Sequence, residues 1–501
     1  MLFPTSIFAC FFAIVFALHW ALPERGIARK LALLAASVFF YAWWSWKFAI
    51  MLLASAALNH AAAKAAAARA AGGERKAQGV RGIVTAAVVA NLALLAFFKY
   101  SSFLFMDVFH PLAAIFCNHF GSPDMLDGLI GFEYDRAFPF LNGIILPIGI
   151  SFYTFQAISY VLDCASGKCR PAASLLDFAN YLAFFPKLCA GPITRPADII
   201  PQMEVLPPRS APIDTGRAAT LVLGGLLKKV VVANWLAGHL ADPFFTDPES
   251  YGAADALLGI YGYTLQIYCD FSAYSDIATG CALMLGFSFP CNFRAPYLAT
   301  SLQDFWRRWH ITLSSWLRDY LYIPLGGSRC ATWKIHRNLI LTMLLGGLWH
   351  GAGWSYIVWG AIHGVGQSLE RPFNRRRSGE SSCGCRAVAF IRALITFHIV
   401  AFAWIFFRAG AADAEGLRTV RLVLASLADF SSPHALVSPL AFAFLAAAFA
   451  LQALDGETPR RLQSAFSNLH PAVQGLLAAL LLTAILGLGP SGVAPFIYFQ
   501  F

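Results

Sequence analysis

The chain has 501 residues, enough for several soluble domains, but 58% are hydrophobic, only 13% are charged and the mean hydropathy is +0.60. Such values exclude an ordinary soluble or disordered chain and imply an all-α, polytopic membrane protein. The net charge of +10 sits in short loops between apolar runs, as in cytoplasmic loops, and not in the stripe or tail that would imply nucleic acid as a partner.

The amino end, MLFPTSIFACFFAIVFALHWALPERG, lacks a basic leader and a small-residue cleavage site, so it reads as a retained first span. Thr5 to Leu22 crosses once and meets Arg25, Arg29 and Lys30, which places the amino terminus outside. Leu31 to Trp46 returns outward, Phe48 to Ala63 comes back to the basic loop holding Lys64, Arg69, Arg75, Lys76 and Arg81, and Ile83 to Phe98 leaves again. Beyond His19, His60 and Asn91 these four helices carry few polar groups and read as a lipid-facing wall. Ser101 to Leu141 mixes apolar pieces with Asp, Asn and Gly, as an exterior loop with embedded segments would.

Pro147, Pro186 and Pro192 lie in apolar surroundings and predict interrupted helices, which membrane proteins keep where they line a cavity. The cations Lys187, Arg195, Lys228 and Lys229 suit either a phosphate-bearing ligand or anchoring at lipid headgroups. Farther on, Tyr263, Gln266, Asp270 and Tyr274 recur at helical spacing as one polar stripe. An intramembrane carboxylate such as Asp270 is either functional or hydrogen-bonded to a neighbouring helix.

Ser301 and Asp304 stand at capping-box spacing ahead of a helix predicted over Ser301 to Leu321. One face would carry Phe305, Trp309, Leu313, Trp316 and Tyr320, the other Arg307, His310, Ser314 and Arg318. Asn338 to Leu369 is apolar enough for a bilayer yet holds His350 before a Gly351-Ala352-Gly353 turn. Basic clusters bound the run on both sides, Arg329, Lys334 and Arg337 before it and Arg371, Arg375, Arg376 and Arg377 after it, so both ends face the cytoplasm. Two full crossings need about 40 residues, more than this run supplies, and a shallow hairpin is expected. Counting from Asn338 at ~1.5 Å per residue sets His350 about 18 Å deep, at a helix break that only protein or a water-filled cavity can surround.

Arg371 to Arg386 then reads as a flexible cytoplasmic loop. Ala387 to Phe407 spans outward with His398 as a satisfied core residue, Leu436 to Leu454 returns to Arg460 and Arg461, and Val473 to Leu488 leaves again. Arg75 and Arg376 are thus expected in the cytoplasm, and the end PFIYFQF, including Phe501, outside. The eleven cysteines include two close pairs, Cys164/Cys169 and Cys383/Cys385, neither followed by the ligands of a zinc site. No metal is expected. No internal repeat divides the chain, which reads as one membrane domain over 1–501.

The segments LLGGLWHGAGW and DFWRRWHITLSSWLRDYLYIPLGG resemble the signature of the membrane-bound O-acyltransferase family, in particular the bacterial branch that acetylates exported polysaccharides. Its signature region corresponds to residues 259–369, with a similar YxDFSxYSD run that has Ala273 where glycine is usual. The resemblance implies about 10 to 12 spans of ~20 residues plus re-entrant or broken helices around a central pore in the bacterial inner membrane. His350 would be the family histidine and His310 its partner. Donor contacts would fall to Arg307, Arg318, Ser314 and Asp270. The resemblance also implies no bound cofactor, acetyl-CoA or another acyl thioester as donor, an exported polysaccharide as acceptor and a separate extracytoplasmic esterase-like (SGNH-type) acetyltransferase as partner.

Acyl transfer from a thioester to a sugar hydroxyl needs a base on the hydroxyl and donors for the developing oxyanion. A neutral imidazole meets the first demand, which makes His350 the candidate base. His310 would orient it, receive the acyl group or stabilise the oxyanion. No Gly-x-Ser-x-Gly elbow is present to support a serine hydrolase. Two other readings share these features: D-alanyl transfer to teichoic acid, whose proteins carry both histidine motifs in a shorter chain, and a proton-coupled transporter.

Overall fold

The computed structural model describes residues 1–24, 26–70, 77–109, 112, 145–210, 212–377, 386–410, 416–432, 435–453, 463–488 and 496–497. Arg75 and Phe501, the Arg376 side chain, Cys383, Cys385, Arg460 and Arg461 and nearly all of the expected exterior loop lie outside these. Every regular element among the described residues is helical. Helices α1 (Ser6–Ala21), α2 (Ala28–Ala42), α3 (Trp46–Ala70) and α4 (Ala77–Phe103) follow the first four apolar runs, and α4 continues into a π turn at Leu104–Phe109. Then come α5 (Ile150–Ala165), α6 (Leu175–Ala183), α7 (Phe185–Leu188) and α8 (Pro196–Glu204). The expected interruptions appear as the breaks around α7.

Helix α9 (Thr215–Thr246) is long and apolar enough to cross a membrane, although Lys228 and Lys229 interrupt its sequence and conceal it as a span. It contains π turns at Leu227–Ala233 and Ala237–Ala241. The first brings both lysines against the long α10 (Ala253–Met284), where Lys228 pairs with Asp276 and Lys229 with Asp270, each at 2.5 Å. The structure then gives α11 (Leu302–Trp306), α12 (Ile311–Leu317), α13 (Thr332–His350), α14 (Trp354–Arg377), α15 (Arg386–Gly410), α16 (Gly416–Ser426), α17 (Pro439–Ala453) and α18 (Pro471–Leu488). Five helices, α3, α4, α9, α15 and α18, have the length and composition of membrane spans among the described residues.

Two expectations are corrected here. The hairpin is longer than its apolar run: α13 and α14 extend it from Thr332 to Arg377, since Lys, Arg and Glu are good helix formers and can extend a helix beyond its apolar part. His350 ends α13, 18 residues above Thr332, a rise of about 27 Å. The Ser301–Leu321 segment is not one helix, because α11 and α12 are separated by a break at Arg307–His310.

The first four helices are also less inert than a lipid-facing wall. Asn59 and Asn91 exchange side-chain hydrogen bonds between α3 and α4, the His60 ring lies 3.1 Å from the Tyr160 hydroxyl, and His19 lies 2.8 Å from Arg29. Buried polar groups find partners across helices because no water is available there. On α15, His398 is exposed, but both ring nitrogens have partners, Leu394 O and Tyr261 Oη.

Two apolar clusters rich in aromatic rings hold the bundle. One joins α1 to α8 with Trp316 and Trp349, and the other joins α9, α10, α15 and α17 with Trp309 and Trp359. The α13–α14 hairpin crosses the seam between them. Its helices touch backbone to backbone: a Cβ on Gly347 would fall 2.2 Å from the Tyr356 carbonyl oxygen, and one on Gly360 2.4 Å from that of Met343. Small residues at such crossings let dispersion contacts replace the hydrophobic driving force that lipid does not supply. Gly360→Leu is therefore expected to splay the hairpin, lowering the melting temperature and the yield of monodisperse detergent-extracted protein by an overpacking penalty of about 1–3 kcal/mol or more. Gly475→Leu on α18, where an added Cβ meets open space, should leave both unchanged.

Candidate active site at the seam

His350 is the last residue of α13 and is 4% exposed. Its ring meets Trp349, Trp359 and Phe407 edge-on, with centroids 4.9, 5.1 and 5.1 Å away. The turn after it is the expected Gly351–Gly353 segment. The three carbonyls at this helix end are held from α4: Tyr100 Oη donates to Leu348 O at 2.7 Å, and Lys99 Nζ to Trp349 O at 2.6 Å and His350 O at 2.8 Å.

His310 occupies the break between α11 and α12 with φ 42° and ψ 55°, a left-handed conformation that costs a residue with a Cβ about 1–2 kcal/mol. A neighbouring strap overcomes that cost. Ile311 N donates to Asn292 O at 2.9 Å, Arg294 N donates to Arg308 O at 2.9 Å, and Asn292 Oδ1 accepts from Thr312 N and Oγ1. The ring is fully buried, edge-on to Phe271 at 4.6 Å, and 6.2 and 6.3 Å from the rings of Phe152 and Trp349. Trp349 thus touches both histidines, and each histidine contacts rings of both apolar clusters.

Two chambers lie along α13. The one nearer its basic end has a volume of about 380 Å³, and its lining includes Gln303, Trp306, Arg307, Ser314, Arg318 and Arg371. The other, of about 350 Å³, lies at the glycine turn and is lined by Lys99, Gly149, Phe152, Trp349 and His350 among others. Three members of the expected polar stripe therefore do share a cavity, and His310 leaves them because the break rotates it into the core. Arg308 is bound to Asp304 at 2.9 Å. Arg318 contacts Asp319 at 2.7 Å and is largely exposed.

Asp270 is not part of the chamber wall. One of its oxygens accepts from Lys229 and the other from the backbone N–H of Ile497, at 2.7 Å. Phe496 beside it packs on Phe3 and Tyr274, so Phe496 and Ile497 are buried within the bundle. The other expected anion-binding cations are also engaged internally: Lys187 with Gln156 and Thr194, and Arg195 with Asp319.

Sequence reasoning missed Lys99, Tyr100, Asn292 and His363. His363 is fully buried between Phe305 and Trp359, and its Nδ1 accepts from Trp306 Nε1 at 3.3 Å. For Lys99 a signal existed, a lysine at the outward end of an apolar run, where positive charge is disfavoured. No group of three His, Cys, Asp or Glu side chains among the described residues is placed to hold a metal ion. The seam is instead suited to acid–base chemistry, with two buried imidazoles between a cationic chamber and a second cavity.

The sequence profile of the membrane-bound O-acyltransferase family matches residues 170–407, a span containing both histidines and the strap. The chain is also 36% identical over 546 aligned positions, covering all of both chains, to the probable alginate O-acetylase of Azotobacter vinelandii. The chain belongs to the membrane-bound O-acyltransferase family. A peptidoglycan O-acetyltransferase of Helicobacter pylori is 34% identical over 78% of this chain and 72% of its own length. A teichoic acid D-alanyltransferase of Streptococcus thermophilus is 28% identical over 48% of this chain and 61% of its own length. As a membrane-bound O-acyltransferase, the protein is an enzyme of acyl transfer and a multi-pass protein of the inner membrane.

In this acyltransferase Asp270 can be tested as a structural group. Lys229→Met would leave its carboxylate buried and uncompensated, at a cost of about 3–5 kcal/mol. Adding Asp270→Asn should recover part of the lost melting temperature, and neither change should alter acyl-donor affinity in the protein that remains folded.

Proposed function

We propose that the protein moves an acetyl group from a cytoplasmic thioester, acetyl-CoA, toward an exported alginate-like polysaccharide, with an extracytoplasmic esterase-like partner completing delivery. The observation that carries this reading is the placement of His310 and His350 at the seam, with an arginine-lined chamber at the basic end of the hairpin and a second chamber at its glycine turn. Arg307, Arg318 and Arg371 suit the phosphates of a nucleotide thioester, since guanidinium pairs with phosphate through charge-assisted hydrogen bonds. Donor binding at that end, among basic residues, fits a cytoplasmic source.

His350 takes the proton of the accepting hydroxyl as its oxygen bonds to the thioester carbonyl carbon. The carbon–sulfur bond then breaks, and the thiolate leaves with a proton. His310 acts on the same carbonyl from the other side of Trp349. Oriented groups in a dry site stabilise the developing oxyanion more than water would.

The relatives with substantial coverage act on different polymers by name but share the O-acetyl group, which favours acetyl as the cargo and an exported polysaccharide as the acceptor class. Similarity to the D-alanyltransferase supports D-alanyl transfer as the second reading. Mass spectrometry of secreted polymer and envelope from cells with and without the protein separates the two: O-acetyl groups should vanish with the gene, and D-alanyl esters should not.

His350→Ala is expected to lower acetyl groups on the secreted polymer, per folded molecule, by about 10² to 10⁴ while leaving expression and membrane insertion near normal. Wild-type transfer per folded molecule would reduce His350 to a structural residue. His310→Ala in the same assay should also lose transfer. Arg307→Gln should weaken acetyl-CoA binding by purified protein without lowering its melting temperature, and unchanged binding would remove Arg307 from the donor site.

A further inference from the structure

An α-helix ends with four carbonyls that have no partner within the helix. In water they are solvated, and a glycine in the left-handed region often closes the end. Helix α13 does not end on a left-handed glycine. Gly351 is extended, with φ −159° and ψ 153°, and its N–H reaches back to Gly347 O at 3.4 Å. Two adjacent side chains of α4, distant in sequence, terminate the helix instead: the Tyr100 hydroxyl takes Leu348 O, and the Lys99 ammonium takes Trp349 O and His350 O.

The Lys99 ammonium also lies 5.8 Å from the centre of the Trp349 ring, so it holds this residue by both its backbone and its aromatic face. No carboxylate lies within ion-pair distance of Lys99 among the described residues, and it lines the same chamber as His350. A cation here complements the negative end of the helix dipole and fixes the last peptide units, whose orientation sets where the imidazole points.

We propose that Lys99 is a positioning residue for the reaction: its ammonium, bound to the terminal carbonyls of α13, holds His350 in register with the turn-end chamber. The inference rests on the catalytic reading of His350. Tyr100 supports the same helix one carbonyl farther back, at Leu348, and so contributes to stability more than to the direction of the imidazole.

The experiment compares Lys99→Met, Lys99→Arg and Tyr100→Phe with wild type and His350→Ala. Each variant is measured for acetyl groups on secreted polymer per folded molecule, for binding of acetyl-CoA by the purified full-length protein and for melting temperature. Lys99→Met should lower transfer per folded molecule by up to about 10²-fold, the cost of misplacing a reacting group by an ångström, with acetyl-CoA affinity unchanged. Lys99→Arg keeps the charge and donors and should regain at least a tenth of wild-type transfer. Tyr100→Phe should lower the melting temperature with transfer per folded molecule near wild type.

Wild-type transfer per folded molecule in Lys99→Met would overturn the inference, as would an arginine variant no better than the methionine one. If His350→Ala itself transfers normally, the catalytic reading fails. If His350→Ala is inactive while Lys99→Met is normal, only the role of Lys99 fails.

Discussion

A helix end inside this bundle finds no hydrogen-bond partner in lipid, so protein groups or a water-filled cavity have to supply one. The site is arranged by that constraint. His350 stands at a helix end closed by Lys99 and Tyr100 of α4, and His310 stands at a break closed by Asn292 and Arg294. In each case the group that satisfies the backbone comes from a distant segment. The histidines are therefore held by the tertiary structure, and their elements do not position them alone.

The same economy governs the buried charges. A lone ion in the interior costs several kcal/mol even after relaxation, and the structure pairs Lys229 with Asp270 and Lys228 with Asp276. Lys187 has neutral partners and the face of Tyr181, whose ring centre lies 3.9 Å away. Once these cations are engaged, Arg307, Arg318 and Arg371 define the electropositive wall of a chamber. Some charged groups thus hold helices together, some face a cavity, and Lys99 does both.

The family assignment and the geometry support each other at the seam. The family profile spans residues 170–407, which include the strap, the break and the hairpin, while Lys99 and the Phe496–Ile497 stretch that contacts Asp270 lie outside it. Both seam histidines thus belong to the shared region. Flanking segments contribute the cap on α13 and the second partner of Asp270.

Sequence alone determined that the chain is a helical membrane protein, that helices follow its first four and last three apolar runs, that a glycine turn follows His350 and which family its two histidine-bearing segments resemble. Hydropathy, basic loops and short motifs are local properties and can be read in order along the chain. It also placed Arg307, Ser314 and Arg318 on one wall, because helical spacing survives the break well enough for these three. It did not determine that His310 leaves that stripe, that Asp270 binds Lys229 and Ile497, or that Lys99 ends a helix 250 residues away. Those outcomes depend on which segment meets which broken backbone, and tertiary packing alone decides that.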